Sequence, residues 1–198
     1  MAAVAYGHKN RDPLTPFTEA DWTVDEPKSK ISPYVRSKVR AERAAWDFLE
    51  KLPEEQRFEL ATVNPTLVIG PLLWKQECTS AEVLTMLLMR EMPAVPDVRL
   101  PMVDIRDVVR AHVAAMTVPQ AAGKRCLVSS HGSAMLDSSV LLAAEFKKHG
   151  YNPPTAKLPT WLLKVASVFD SRAAASASEA GKVGEKKRAC ARPHVRVA

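Results

Sequence analysis

Along the chain, stretches of apolar residues with a helical repeat alternate with short apolar runs closed by proline or glycine, and this predicts an α/β fold. Ser32-Pro33 places an N-cap residue before a proline at the first helical position, so a helix is predicted from there to Leu52, stopped by Pro53. Val35, Val39, Trp46 and Leu49 form its apolar stripe. Phe58 to Val63 reads as a strand ended by Asn64-Pro65, and Leu67-Val68-Ile69 leads into a Gly70-Pro71 turn. Thr79 and Glu82 have capping-box spacing ahead of Val83, Leu84, Leu87 and Leu88, which predicts a second helix stopping near Pro93. Asp104 caps a third helix through about Met116, a strand follows at 125–129, and a fourth helix runs from about Asp137 to Gly150.

The flanks lack this periodicity. Residues 7–31 are polar, are broken by Pro13, Pro16 and Pro27, and read as a long surface loop. Pro159 to Leu163 opens another apolar segment, but beyond Asp170 the sequence turns Ala/Ser-rich and then basic, so residues 171–198 are expected to be a disordered tail. No internal repeat is present.

Composition and charge then narrow the field. An apolar content of 46% over 198 residues is that of a globular chain with a core. The net charge of +6 raises the question of nucleic acid, yet the tail from Ser171 holds +5 of it and the rest only +1. The tail also lacks interleaved aromatics, so neither part argues for a polyanionic partner. Cys78, Cys126 and Cys190 lie too far apart for a zinc motif or a disulfide framework, and a reducing compartment is the simplest reading. No apolar stretch approaches the ~18 residues of a membrane span, and a soluble cytoplasmic protein is expected, with no metal.

The sharpest local feature is Ser32-Pro33-Tyr34-Val35-Arg36-Ser37-Lys38, because Tyr34 and Lys38 stand four apart on the first helix and share a face. An ammonium beside a phenol favours the phenolate, which suits the tyrosine to general acid or base work, and lysine can also donate to ribose hydroxyls. Taken alone, the spacing describes a solvated helix face more readily than a site. Pro65 reads as a strand terminator, Asp104 and Asp107 as the cap and first turn of a helix, and His112 as a packing or surface histidine.

Three blocks occur in order: Tyr34-Val35-Arg36-Ser37-Lys38 with Ala41-Glu42 and Trp46; Asn64-Pro65-Thr66-Leu67-Val68-Ile69-Gly70-Pro71; and Val103-Asp104-Ile105-Arg106-Asp107-Val108 with Ala111-His112. Together they resemble the extended short-chain dehydrogenase/reductases of the epimerase/dehydratase superfamily, nearest the dihydroflavonol, cinnamoyl-CoA and ketone/aldehyde reductase branch. The resemblance runs from the N-terminus to about Asp170. It implies a Rossmann-like fold with parallel strands and an NADP(H)-dependent reduction of an aldehyde or ketone, with NAD as a possible substitute. It assigns Tyr34 as proton donor to the carbonyl oxygen, Lys38 as its partner and a ribose ligand, and Pro65 and Val68 as cofactor contacts beside the nicotinamide. Leu72, Trp74 and Trp161 would suit a moderately hydrophobic carbonyl substrate, while epimerases and hydroxysteroid dehydrogenases share the same blocks.

The sequence departs from that family in one decisive place. Its members open with a strand, a glycine-rich turn and a helix N-terminus that holds the pyrophosphate. Here the seven glycines are Gly7, Gly70, Gly123, Gly132, Gly150, Gly181 and Gly184, and none makes such a turn. The expected organisation is therefore a surface loop and strand remnant over 1–31, the catalytic and substrate-side part of a reductase over 32–170, and the tail over 171–198, with the first nucleotide-binding units missing and the chain inactive or partial by itself. The alternative is a non-catalytic binding or dimerising module, pairing as a homodimer through helix 33–52.

Overall fold

A computed structural model describes residues 1–8, 11–12, 15–29, 31–74, 79–159 and 161. The tail at 171–198, Leu162-Leu163, Cys78 and Cys190 lie outside the described residues. The elements follow the order α1 (Pro33–Lys51), β1 (Thr62–Pro65), β2 (Leu67–Ile69), α2 (Thr79–Leu88), β3 (Arg99–Asp104), α3 (Ile105–Thr117), β4 (Arg125–Val128), β5 (His131–Ala134) and α4 (Met135–Phe146), with short 3-10 turns after α1, α3 and α4. The α/β class expected from the periodicity is the class observed. Two compact units are formed, one from Met1–Val68 with Val103–Ser130, the other from Ile69–Met102 with the described residues from His131 onward.

In the first unit α1 begins where the capping chemistry sets it: the Ser32 hydroxyl accepts the Val35 N–H at 3.2 Å and Pro33 occupies the first turn. Its buried side is Val35 and Val39. Burial of each valine contributes about 1.5–3 kcal/mol, which outweighs the small intrinsic preferences of an isolated helix. β1 pairs in parallel with β4, Thr62 opposite Arg125 and Pro65 opposite Val128. Val103, Val108 and Val128 form the core, with Val63, Val68, Ile105 and Ala111 packed around them. Asp104 caps α3 by accepting the Arg106 N–H at 2.8 Å.

The leading residues contain no helix or strand, yet they are tied down. Residues 2–6 are wound into turns and bends, and Ala3, Val4 and Thr23 are buried. The Thr23 N–H donates to Ala3 O at 2.9 Å, its hydroxyl donates to Ala2 O at 2.7 Å, and Val24 N–H donates to Tyr6 O at 3.0 Å. Gly7 closes this pairing at φ +81, and a Cβ there would stand 2.6 Å from Val24 O. Only glycine fits.

In the second unit β3 and β5 run antiparallel, Arg99 opposite Ala134 and Met102 opposite His131. Leu87, Val95 and Met135 are its buried centre, with Val83, Met92, Leu100, Leu136 and Leu142 packed against them. The Ser139 hydroxyl is fully buried and donates to Pro154 O at 2.6 Å. α2 ends at Leu88, short of Pro93, because the chain folds back through Arg90 at φ 54: Arg90 N–H donates to Leu87 O and Glu91 N–H to Met86 O. That is a glycine-type helix stop made without glycine.

Several boundaries differ from expectation. β1 starts at Thr62, because the partner strand begins only after the turn at Gly123, whose N–H donates to Leu60 O. β3 and β5 carry no clear strand signature of their own: Pro101 and Gly132 break it, and the antiparallel partner supplies what propensity lacks. α4 starts at Met135 because Met135 N–H donates to Val98 O, and it passes through a 3-10 turn to Gly150 at φ 87 as the glycine stop requires.

Candidate active site

Tyr34 and Lys38 lie on successive turns at the start of α1, and their side chains meet: the Lys38 ammonium stands 5.6 Å from the centre of the Tyr34 ring. Both are exposed, Tyr34 at 65% of its full accessibility. The phenol is exposed, while Val35 and Val39, on the adjoining side of the same turns, face the core. Ser37 adds an N-terminal tie by donating from its hydroxyl to Tyr34 O at 2.8 Å.

Pro65 and Val68 stand elsewhere in the same unit. Pro65 ends β1, and its carbonyl accepts the N-terminal ammonium of Met1 at 2.9 Å, a group whose pKa burial lowers. Val68 packs against the core cluster around Val103, Val108 and Val128. Thr66, between them, is buried and donates its N–H to Val128 O at 3.0 Å. Proline, threonine and valine thus form a fixed backbone edge. Leu72, Trp74 and Trp161, expected as substrate-pocket residues, belong to the second unit and are each more than half exposed.

A polar cluster escaped the sequence reading. The Glu42 carboxylate, 8% exposed, accepts from Arg125 Nε at 2.8 Å and Nη2 at 3.1 Å, from the Thr62 hydroxyl at 2.7 Å, and from Asn64 Nδ2 at 3.1 and 3.2 Å. Burial by itself raises the Glu42 carboxyl, but the Arg125 hydrogen bonds, Thr62, the Arg125 charge and Asn64 together hold it below the ordinary glutamate range. Arg125 donates from Nη1 to the carbonyls of Glu19 at 2.8 Å and Asp21 at 2.6 Å, and its guanidinium stacks 3.6 Å from the Trp22 ring centre. Asp25 bridges Arg36 at 2.6 Å and Arg40 at 2.7 Å, and the hydrogen bond from Arg40 leads in holding its carboxyl low. Eighty-three residues separate Glu42 from Arg125, so no local spacing could have paired them.

A groove of about 640 Å³ in the first unit is lined by Leu60, Val63, His112, Met116, Val118 and Pro119 among others, and by none of the four expected site residues. His112 is exposed, and its Nδ1 donates to Val108 O of its own helix at 2.8 Å. Among the described residues no cluster of His, Cys, Asp or Glu could hold a metal ion, and no helix is long and apolar enough to cross a membrane.

The first unit thus combines a parallel strand pair with a tyrosine and a lysine one turn apart at an exposed helix start. The chain's homologues include methylglyoxal and cinnamoyl-CoA reductases, the branch that the three sequence blocks resemble. It is 31% identical over 166 residues to the NADPH-dependent methylglyoxal reductase GRE2 of Saccharomyces cerevisiae, covering 79% of this chain and 48% of that protein. With the cinnamoyl-CoA reductase CAD2 of Medicago truncatula it shares 38% identity over 133 residues, 65% of this chain and 38% of that one. The structure of the yeast methylglyoxal/isovaleraldehyde reductase Gre2 complexed with NADPH superposes with a TM-score of 0.67 at 33% identity, over 78% of this chain and 48% of that chain. No family model matches the chain. The chain thus spans less than half the length of these relatives.

Proposed function

We propose that this chain carries the proton-donating pair of an NADPH-dependent reductase acting on an aldehyde or ketone, and that the 198 residues alone are a partial site. The observation that carries the reading is the Tyr34–Lys38 pair itself, exposed at the start of α1 with the ammonium 5.6 Å from the ring, in a chain aligned with NADPH-dependent reductases. In this reading Tyr34 donates its phenolic proton to a carbonyl oxygen, and Lys38 stabilises the phenolate left behind and donates to ribose hydroxyls. NADPH, when bound, supplies the hydride.

By the resemblance, Tyr34 and Lys38 would hold the nicotinamide ribose, and Pro65, with the backbone at Val68, would lie beside the ring, the Val68 side chain being packed in the core. The pyrophosphate needs backbone N–H groups at a glycine-rich turn before a helix, and no such turn occurs in the sequence. NADPH affinity therefore depends on a nucleotide-binding half supplied from outside these residues. The experiment is to join the chain to the nucleotide-binding half of the yeast methylglyoxal reductase and to follow NADPH oxidation with methylglyoxal and with a bulkier apolar aldehyde. Tyr34→Phe should cut turnover by about 10²–10⁴-fold with NADPH binding unchanged. Near-normal turnover in that variant removes Tyr34 from the mechanism, and equal NADPH affinity of the chain alone and the joined protein refutes the partial-site reading.

A second reading, a dimerising module acting through helix 33–52, draws on the exposure of Phe48 on α1, 58% accessible. Sedimentation of the purified chain distinguishes it.

A further inference from the structure

We propose that the buried Glu42–Arg125 pair is a positioning clamp for the Tyr34–Lys38 face, acting by fixing α1 against β1. This rests on the catalytic reading above for its purpose but not for its geometry. Tyr34, Lys38 and Glu42 follow one another at four-residue spacing, so they occupy neighbouring turns of one side of α1. The first two are exposed, and the side chain of the third is largely covered. A carboxylate held at one end of such a row sets the rotation and axial position of the helix for the two side chains ahead of it.

The partners of Glu42 make this specific. Two of them, Thr62 and Asn64, belong to β1, the strand that ends in Pro65, and the third, Arg125, heads β4, the parallel neighbour of β1. One carboxylate therefore links the helix bearing Tyr34 and Lys38 to the strand bearing Pro65. Alternation leaves Val63 to the core cluster while Thr62 and Asn64 reach Glu42. The segment at 19–25 completes the clamp from the other side. Its carbonyls at Glu19 and Asp21 accept from Arg125 Nη1, Trp22 stacks on Arg125 at 3.6 Å and lies 4.9 Å from Arg43, and Asp25 holds Arg36 and Arg40. Arg36, Arg40 and Arg43 form a basic row along α1, and this segment neutralises or stacks upon each of them. Arginine suits the centre of such a cluster because its planar fork serves a carboxylate, two carbonyls and an indole face together.

The test reads position rather than turnover. The chain is labelled with 3-fluorotyrosine, the Tyr34 signal is assigned by its loss in Tyr34→Phe, and Glu42→Gln is compared with wild type by ¹⁹F NMR and amide exchange. The amide side chain keeps the shape but gives up the charge and one acceptor. The expected result is a displaced, broadened Tyr34 resonance and roughly tenfold faster exchange over 34–39, with α2 in the second unit unchanged. Arg125→Lys, which keeps the charge and loses the fork, should do the same if Glu42→Gln fails to fold. An unmoved Tyr34 resonance, or exchange that rises equally through the chain, overturns the proposal, as does unfolding of both variants, since the pair would then serve stability alone. No NADPH or substrate enters this test, so a catalytically silent Tyr34 would sink the functional reading and leave the clamp standing.

Discussion

At the scale of single residues, the chain depends on a few positions that sequence patterning does not mark. Gly7 is one: at φ +81, with Val24 O only 2.6 Å from where a Cβ would stand, it permits the pairing of residues 2–6 with Thr23 and Val24. An alanine must accept left-handed backbone at about 1–2 kcal/mol and also push Val24 aside. Gly7→Ala is expected to lower stability by about 2 kcal/mol or more in urea denaturation, whereas Gly123→Ala, with nothing within 4 Å of its Cβ, suffers only the backbone cost. Equal losses in both variants would show that the contact with Val24 is without consequence.

At the scale of elements, end chemistry decides where helices start and stop. Ser32 both caps α1 and fixes the first turn that presents Tyr34. Ser32→Ala should cost about 1 kcal/mol and speed amide exchange in the turn that follows, without affecting α4. The stop of α2 is different in kind. Arg90 adopts φ 54 without the freedom of glycine, so a β-branched replacement is worse placed than arginine: Arg90→Val should destabilise the second unit by about 1 kcal/mol or more, and Arg90→Gly should not. Thermal melts of the two variants check the contrast.

At the scale of the whole molecule, acid sensitivity follows from the carboxylates of the first unit. Asp21, Asp25 and Glu42 all have folded pKa values below their ordinary ones. Groups depressed in the folded state add stability above their unfolded pKa values, which lie at about 4, and that contribution is lost as the pH falls through the lower folded values. The midpoint of thermal unfolding should therefore fall steeply between about pH 4 and pH 2. Glu42→Gln should be less stable than wild type at neutral pH and should lose less on acidification. A wild-type midpoint unchanged down to about pH 2 would contradict the assignment.

The sequence by itself determined the α/β class, the limits of α1 and α3 and the pairing of Tyr34 with Lys38, because helix caps and four-residue spacing are local and are written in adjacent letters. It also carried the family resemblance, whose blocks are contiguous. Only the tertiary structure decided that Phe58 to Ala61 stay outside β1, that Arg99 to Asp104 and His131 to Ala134 become strands, and that a polar segment read as a surface loop is anchored through Thr23, Asp25 and Trp22. Those outcomes rest on partners far away in the chain. A strand with a proline in it forms when another strand offers the complementary edge, and a glutamate on a helix becomes a buried anchor when an arginine 83 residues later meets it. Hydrogen bonds and desolvation are settled by what surrounds a group in space, and that surrounding exists only once the chain has folded.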